Sequence, residues 1–254
     1  MQIVQSHLLS QIRQIRHGFF CPGDASNRDN NLSFKNGTPQ QVLSARKRAC
    51  GILNINPSDL THVYQDHGTV IWSVGIQERG AGALTGEYQV GVGDALISNE
   101  PAVPLAILIA DCLPVFFATS DAKAVGLTHA GWRGTFDNIS GKTVQRIVQE
   151  FQVDPATIKV WIGPGISKAN FEVGYDVLHQ FKERWGNVNG CLDERNRRID
   201  LRSINEHQLL EAGILPRNLE ISPECTYADR KFFSYRRDGA GVGHNMAVIQ
   251  IATD

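Results

Sequence analysis

The 254-residue sequence lacks a surplus of either charge, with 25 lysines and arginines against 26 aspartates and glutamates. That balance removes the polyelectrolyte attraction behind sequence-independent binding of DNA or RNA, so a nucleic-acid-like ligand should be a monomer and no polymer. Long apolar runs are missing as well. The longest, Leu105 to Ala110, ends after six residues at Asp111, far below the ~20 needed to cross a bilayer as a helix. Cysteine is scarce and unpaired in pattern: Cys21, Cys50, Cys112, Cys191 and Cys225 are odd in number, scattered, and form no C-x-x-C. Free thiols in a reducing compartment are expected, and a disulfide framework is not. Arg13 and Arg16 fall where a signal peptide needs its apolar stretch, so a soluble, cytoplasmic protein with no membrane contact is the expectation.

What the sequence does contain is enough apolar material, 42% of residues against 20% charged, to bury a core without cross-links. No repeat or low-complexity tract interrupts it, so residues 1–254 read as a single domain. Thr38, Pro39 and Gln41 supply a cap, a first-turn proline and a capping box for a helix from about Pro39 to Leu53. Its buried stripe would be Val42, Ala49 and Leu53, with Arg46 within one turn of that face. Strands are expected at Thr61–Gln65, Thr69–Val74, Leu105–Ala110, Val115–Thr119 and Ala124–His129. A long helix should follow Gly134, because Phe136, Ile139, Val144, Ile147, Val148 and Phe151 recur at helical spacing. Further on, Lys159–Ile162 reads as strand, Val177–Trp185 and Leu201–Ala212 as helices, and Phe232–Tyr235 and Met246–Ile251 as strands. Strands and helices mix without strict βαβ alternation, which favours an α+β fold with mixed sheets flanked by helices.

Several familiar signatures fail. Gly141-Lys142-Thr143 resembles the end of a phosphate-binding loop, but Phe136 stands where its first glycine belongs and the segment has a helical pattern. Gly239, Gly241 and Gly243 lack the spacing and context of a dinucleotide fingerprint. There is no H-E-x-x-H, no G-x-S-x-G, and no H-x-E with P-C-x-x-C, so zincin, α/β-hydrolase and common nucleobase-deaminase readings lose support.

Three segments survive as candidates for chemistry: Gln65 to Gly68, Ala110 to Pro114, and Thr128 to Thr135. Each puts a metal-competent side chain at a turn or strand end. Pro114 cannot donate to a sheet ladder, so pairing should break there and expose Cys112. His129 should end the next strand but one, and His67 a third. Two imidazoles and a thiolate suit Zn²⁺ or copper and leave a fourth position for water or substrate. The plainer alternative is a buried core cysteine with two unrelated histidines. After His129, Arg133-Gly134-Thr135 opens a helix whose free amides attract anions. Adjacent Arg236 and Arg237, read in a strand, should point to opposite faces, so one of them can face a site.

Together these segments resemble the YfiH-type family, historically called multicopper polyphenol oxidase or laccase-domain proteins and now regarded as purine nucleoside phosphorylases. The likeness is carried by H-G-F-F (His17 to Phe20), Q-x-H-G (Gln65 to Gly68), A-D-C-L-P-V (Ala110 to Val115), H-A-G-W-R-G-T (His129 to Thr135) and F-F-S-Y-R-R-D-G (Phe232 to Gly239). These stand in family order over about residues 17–252. The resemblance implies a fold similar to the cytotoxic-factor cysteine hydrolases, with His67, Cys112 and His129 as zinc ligands and Arg46 as a phosphate contact. It implies cleavage of adenosine, inosine and methylthioadenosine with phosphate, and deamination of adenosine.

The sequence departs from the family pattern at Cys21 to Phe34, at Gly163-Pro164-Gly165-Ile166 where the family has G-P-C-I, and at Gly243-His244 where it closes on G-R. On this reading Cys112, His129 and Asp111 are the catalytic candidates, Asp111 either carrying a proton or standing behind the ligands. Arg46, Arg133 and Arg236 are the candidates for phosphate or substrate. The competing functions are a Cys-His hydrolase with Cys112 as nucleophile and His129 as base, acting in peptidoglycan editing, a copper-dependent polyphenol oxidase, and a nucleotide-binding regulatory module without turnover.

Overall fold

Alternation of side chains along each strand explains the architecture of the protein. In a computed structural model, which describes residues 1–87 and 89–253, thirteen strands form in chain order. These are β1 Gln2–Val4, β2 Ile15–Cys21, β3 Thr61–His62, β4 Ile71–Ser73, β5 Ala95–Ser98, β6 Leu105–Ile109 and β7 Leu113–Thr119. They continue with β8 Val125–Ala130, β9 Ile158–Ile162, β10 Leu192–Asp193, β11 Arg198–Ile199, β12 Leu219–Ile221 and β13 Asn245–Ile251. The helices are α1 His7–Ser10, α2 Pro39–Leu53, α3 Trp132–Phe136, α4 Ile139–Phe151, α5 Tyr175–Trp185, α6 Leu201–Glu211 and α7 Tyr235–Asp238.

Two mixed sheets dominate, one in the order β1-β2-β13-β6-β3 and one in the order β12-β9-β7-β8-β5-β4. Alternate residues of β6 face opposite ways. Leu105, Ile107 and Ile109 join a core shared with Phe116 and Leu127 of the other sheet, while Ala106 and Leu108 turn to Ala45, Ala49 and Leu53 of α2. On the far side of the six-stranded sheet, Val115, Phe117 and Val160 pack against Val144, Phe181 and Ile204 of α4, α5 and α6. The result is four layers: helix, sheet, sheet, helices. Burial on both faces is why β6 reads as an unbroken apolar run.

The capping box of α2 forms as its sequence predicts, with Thr38 Oγ1 accepting from the Gln41 N–H and Gln41 Oε1 accepting from the Thr38 N–H. Other expectations need correction. Pro114 does not break pairing. It lies inside β7 opposite His129, and its carbonyl accepts from the Gly163 N–H. The helix expected after Gly134 is two helices, because Asn138 takes a left-handed conformation with φ +64° and resets the chain between α3 and α4. Phe232–Tyr235 is not a strand: Phe232 and Phe233 are buried in coil, and α7 begins at Tyr235, capped by Ser234. No helix of the described residues is long and apolar enough to cross a membrane.

Candidate functional site

The site forms where the chain passes between the two sheets. Residues 110–112 carry it from β6 in one sheet to β7 in the other, and the sharp turn is made at Asp111, whose φ is +95°. A non-glycine residue in that region is strained and persists only where its surroundings hold it. Here they do. Asp111 Oδ1 accepts from the Thr226 hydroxyl at 2.6 Å, Oδ2 from the Arg236 backbone N–H at 2.7 Å, and the Asp111 carbonyl from the Ile166 N–H. Both carboxylate oxygens of this catalytic candidate accept a hydrogen bond, and these bonds tie the turn that presents Cys112 to the start of α7.

Register brings the next residue in. Leu113 of β7 stands opposite Ala130 of β8, and Pro114 opposite His129, so Cys112 and His129 meet at one end of the six-stranded sheet. His67 arrives from the second crossing between sheets, the loop joining β3 to β4, with φ +67°. It does not end a strand, as its position in the sequence suggests. The donor atoms of His67, Cys112 and His129 all lie within 4.8 Å of one another, and the two imidazole rings meet edge to face with centroids 4.9 Å apart. Cys112 is half-buried, so the thiol is less open than the proline argument predicts.

Asp94, a residue the sequence gives no reason to single out, organises two of the three. It is fully buried, just before β5, and β5 pairs with β8 so that Ala95 faces Thr128. Asp94 Oδ1 lies 2.6 Å from His129 Nδ1 and accepts the His67 N–H at 3.1 Å, while Oδ2 accepts the Gly68 N–H at 2.7 Å. With Nδ1 engaged, His129 is left with Nε2 for a ligand bond, the usual arrangement of a metal-binding histidine backed by a carboxylate. Burial pushes the Cys112 thiol up, but the charge of His129 and hydrogen bonds from both imidazoles outweigh it and bring the thiol down to about 6. Burial alone would lower His129. The thiolate and Asp94 beside it hold it well above the ordinary imidazole value instead. A soft anionic sulfur flanked by two imidazoles fits a tetrahedral Zn²⁺ or copper ion with one position open.

His67, Cys112 and His129 line a cavity of about 940 Å³. Arg46 of α2 lies on the wall of the same cavity, 1% exposed. Its Nε donates to the Leu32 carbonyl and its Nη1 to the Gly82 and Ala83 carbonyls, and the guanidinium lies over the Phe34 ring at 4.6 Å. Among the described residues no carboxylate pairs with it. Burial lowers its pKa to about 10.

Arg133 and Arg236 also face the cavity. Arg237 instead donates to the carbonyls of Thr226, Tyr227 and Phe232, so the two adjacent arginines do diverge, from a helical turn and not from a strand. The turn that carries Arg133 is clamped from α6, where Asn205 Nδ2 donates to Thr135 Oγ1 and Gln208 Nε2 to the Thr135 carbonyl. Ser33, Phe34, Ile166 and His244 line the cavity too, so several of the positions around which the sequence departs from the family pattern lie in its wall.

Comparison with known proteins identifies the family and the fold. The profile of the multi-copper polyphenol oxidoreductase laccase family matches residues 16–252. A purine nucleoside phosphorylase of Deinococcus radiodurans is 34% identical over 220 residues, 86% of this chain and 81% of that protein. The purine nucleoside phosphorylase YlmD of Geobacillus stearothermophilus is 34% identical over 194 residues, 73% of this chain and 69% of that protein. The crystal structure of the hypothetical protein YfiH of Bacillus licheniformis matches with a TM-score of 0.87 at 28% identity, covering 94% of this chain and 93% of that one. The chain belongs to the multi-copper polyphenol oxidoreductase laccase family, whose YfiH-type members its fold and sequence resemble.

Proposed function

We propose that the protein is a zinc-containing purine nucleoside phosphorylase that cleaves adenosine, inosine and methylthioadenosine with phosphate, with deamination of adenosine as a second reaction. One observation carries this reading: a single cavity holds a His-Cys-His ligand set and, elsewhere in its wall, the buried cation of Arg46 with no counter-charge among the described residues. An unpaired buried charge is costly, and an anion drawn from solution removes the cost. The relatives named purine nucleoside phosphorylase support phosphate as that anion.

In phosphorolysis a phosphate oxygen bonds to the anomeric carbon of the ribose while the C–N bond to the purine breaks and its electron pair leaves with the base. Arg46, with three carbonyl bonds fixing its plane, holds the phosphate by its remaining N–H edge and so supplies position as well as charge. Arg133 and Arg236 add positive charge to the wall, and Asp111 serves by fixing α7, which carries Arg236. Zn²⁺ held by His67, Cys112 and His129 would supply a Lewis acid for the hydrolytic loss of ammonia from adenosine. Copper at the same ligands is the alternative, but multicopper oxidation needs several centres, and the described residues form one such cluster.

The test is an assay of metal-loaded protein with inosine or adenosine, with and without phosphate. Free hypoxanthine or adenine appears only when phosphate is present. Release of neither base under saturating conditions rejects the assignment, and tight binding without turnover favours a nucleotide-binding module. A second reading, a Cys-His hydrolase, is favoured by the chain Cys112–His129–Asp94, which has the order of a nucleophile, base and orienting carboxylate. Chelation separates the two, because a hydrolase of that kind keeps its activity without metal.

A further inference from the structure

The cavity continues past Arg236 into an open groove of about 590 Å³ floored by aromatic residues, with Trp132, Phe171 and Arg236 lining both spaces. Three arginines lie over aromatic rings at this junction. Arg133 lies 4.4 Å from the ring centroid of Trp132, Arg197 5.0 Å from that of Tyr175, and Arg236 5.4 Å from that of Phe171. The one carboxylate lining the groove among the described residues is Glu172, whose side chain pairs with Arg197 and whose carbonyl accepts from Arg236 Nη1 at 2.8 Å. Within the groove, Arg197 and Arg236 face the one carboxylate of Glu172, while Arg133 and Asp111 line the cavity beside it. A guanidinium lying on a ring is held in one plane and loses little freedom on binding, and the N–H groups of Arg197 and Arg236 not given to Glu172 suit contact with a phosphate.

A neutral nucleoside gives these arginines nothing to pair with. We propose that the groove binds the phosphate of a nucleoside 5′-monophosphate whose nucleoside portion occupies the cavity, an inference that rests on the purine nucleoside reading above. The phosphomonoester lies against Arg197 and Arg236, and the nucleotide competes with the nucleoside because the two share the cavity.

The test is calorimetric titration of metal-loaded protein with inosine, inosine 5′-monophosphate and inorganic phosphate, each alone, so that neither phosphorolysis nor deamination intervenes. The expected result is that the monophosphate binds about tenfold more tightly than inosine at low salt, with the advantage shrinking as salt screens the exposed arginines. Arg197→Asn removes most of that advantage and leaves inosine binding within about twofold. Asparagine is chosen because Arg197 has φ +52°, a conformation asparagine tolerates well. Arg197→Glu, a charge reversal, makes the monophosphate bind more weakly than inosine.

Equal affinity for inosine and its monophosphate overturns the groove proposal and leaves the nucleoside reading standing, as does an advantage that survives both substitutions. Inorganic phosphate should bind equally well to wild type and Arg197→Asn. A parallel loss would mean that the groove is the co-substrate phosphate site, which also overturns the proposal. Failure of inosine and its monophosphate to bind at all sinks the nucleoside reading and this inference with it.

Discussion

Asp94 Oδ1 stands 2.6 Å from Nδ1 of His129 and accepts the backbone N–H of His67 as well. One buried carboxylate thereby sets the ring of one candidate ligand and the main chain of another, so the geometry of the cluster depends on a residue that is not itself a ligand. Replacing Asp94 by Asn keeps the shape and one acceptor oxygen but removes the negative charge behind His129. Zn²⁺ affinity should fall about 10- to 100-fold, measured by competition with a chromophoric chelator, while circular dichroism stays unchanged. An affinity equal to wild type would mean that Asp94 holds the His67 loop and has no influence on the metal.

Gly131 offers a steric test of the same cluster. A Cβ built there would lie 3.0 Å from His67 Cδ2 and 3.2 Å from Cys112 Sγ, closer than side chains pack without displacement. Gly131 has φ −72°, an ordinary value, so alanine introduces no backbone strain and the whole effect falls on the two ligands. Gly131→Ala should therefore bind Zn²⁺ at least about tenfold more weakly, with unfolding stability within about 1 kcal/mol of wild type, since overpacking at a half-open site relaxes more cheaply than in a core. The check is metal titration alongside urea unfolding of the metal-free protein. A variant that loses stability but not metal affinity would place the strain elsewhere.

The parts of this site that were legible in sequence are the ones whose chemistry is rare. His67, Cys112 and His129 stand out because few side chains bind soft metals, and α2 because its cap residues are local. Asp94 was not legible: it contacts His129 through the pairing of β5 with β8, and neither that pairing nor β5 itself has a strong local signal. Arg46 is a middle case. Helical spacing puts it beside the buried stripe, but only the folded loops at Leu32 and Gly82–Ala83 reveal that carbonyls hold it in place. The strand read at Phe232–Tyr235 failed because apolar residues buried in coil look the same as a strand, and the Ser234 cap that starts α7 is a weaker cue than two phenylalanines. Asp111 reads in the sequence as a proton carrier or a residue behind the ligands, and only the fold reveals its bonds to Thr226 and Arg236, 115 and 125 residues away.

Acid should destabilise the protein through its buried histidines. Burial holds His17 down to about 4, and burial with the nearby charges of Lys35 and His129 does the same to His244. Both values lie below the ordinary 6.5, so above that pH the rings are neutral folded or unfolded and contribute nothing. As pH falls from 6.5 towards 4 the unfolded chain takes up protons that the native state refuses, and stability is lost. For His17 the loss between pH 7 and pH 5 is about 2 kcal/mol. His17 packs edge-on against Phe116 and Trp161 in the shared core, and His17→Gln removes its titration. Urea unfolding of metal-free protein at the two pH values should show a drop about 2 kcal/mol smaller in the variant than in wild type. Equal drops would mean that His17 is protonated in the native state.

Cysteine reactivity separates the thiols by burial and then reports the metal. Cys21, Cys50 and Cys191 are at most 1% exposed, and burial pushes them up to about 11, 12 and 11 respectively, so they are neither accessible nor ionised at neutral pH. Cys112 and Cys225 are half-buried. Cys225 accepts from the Ser167 N–H at 3.3 Å and from Asn170 Nδ2 at 3.4 Å, contacts that favour its thiolate. Brief treatment of native, metal-free protein with iodoacetamide at pH 7.5 should therefore add two adducts, mapped by peptide mass spectrometry to Cys112 and Cys225. Loading with Zn²⁺ beforehand should suppress the first and leave the second, because coordination draws electron density from the sulfur, lowers its nucleophilicity and blocks its approach to the reagent. Equal labelling of Cys112 with and without Zn²⁺ would exclude it as a ligand, and would leave the Cys112–His129–Asp94 chain as the better account of the site.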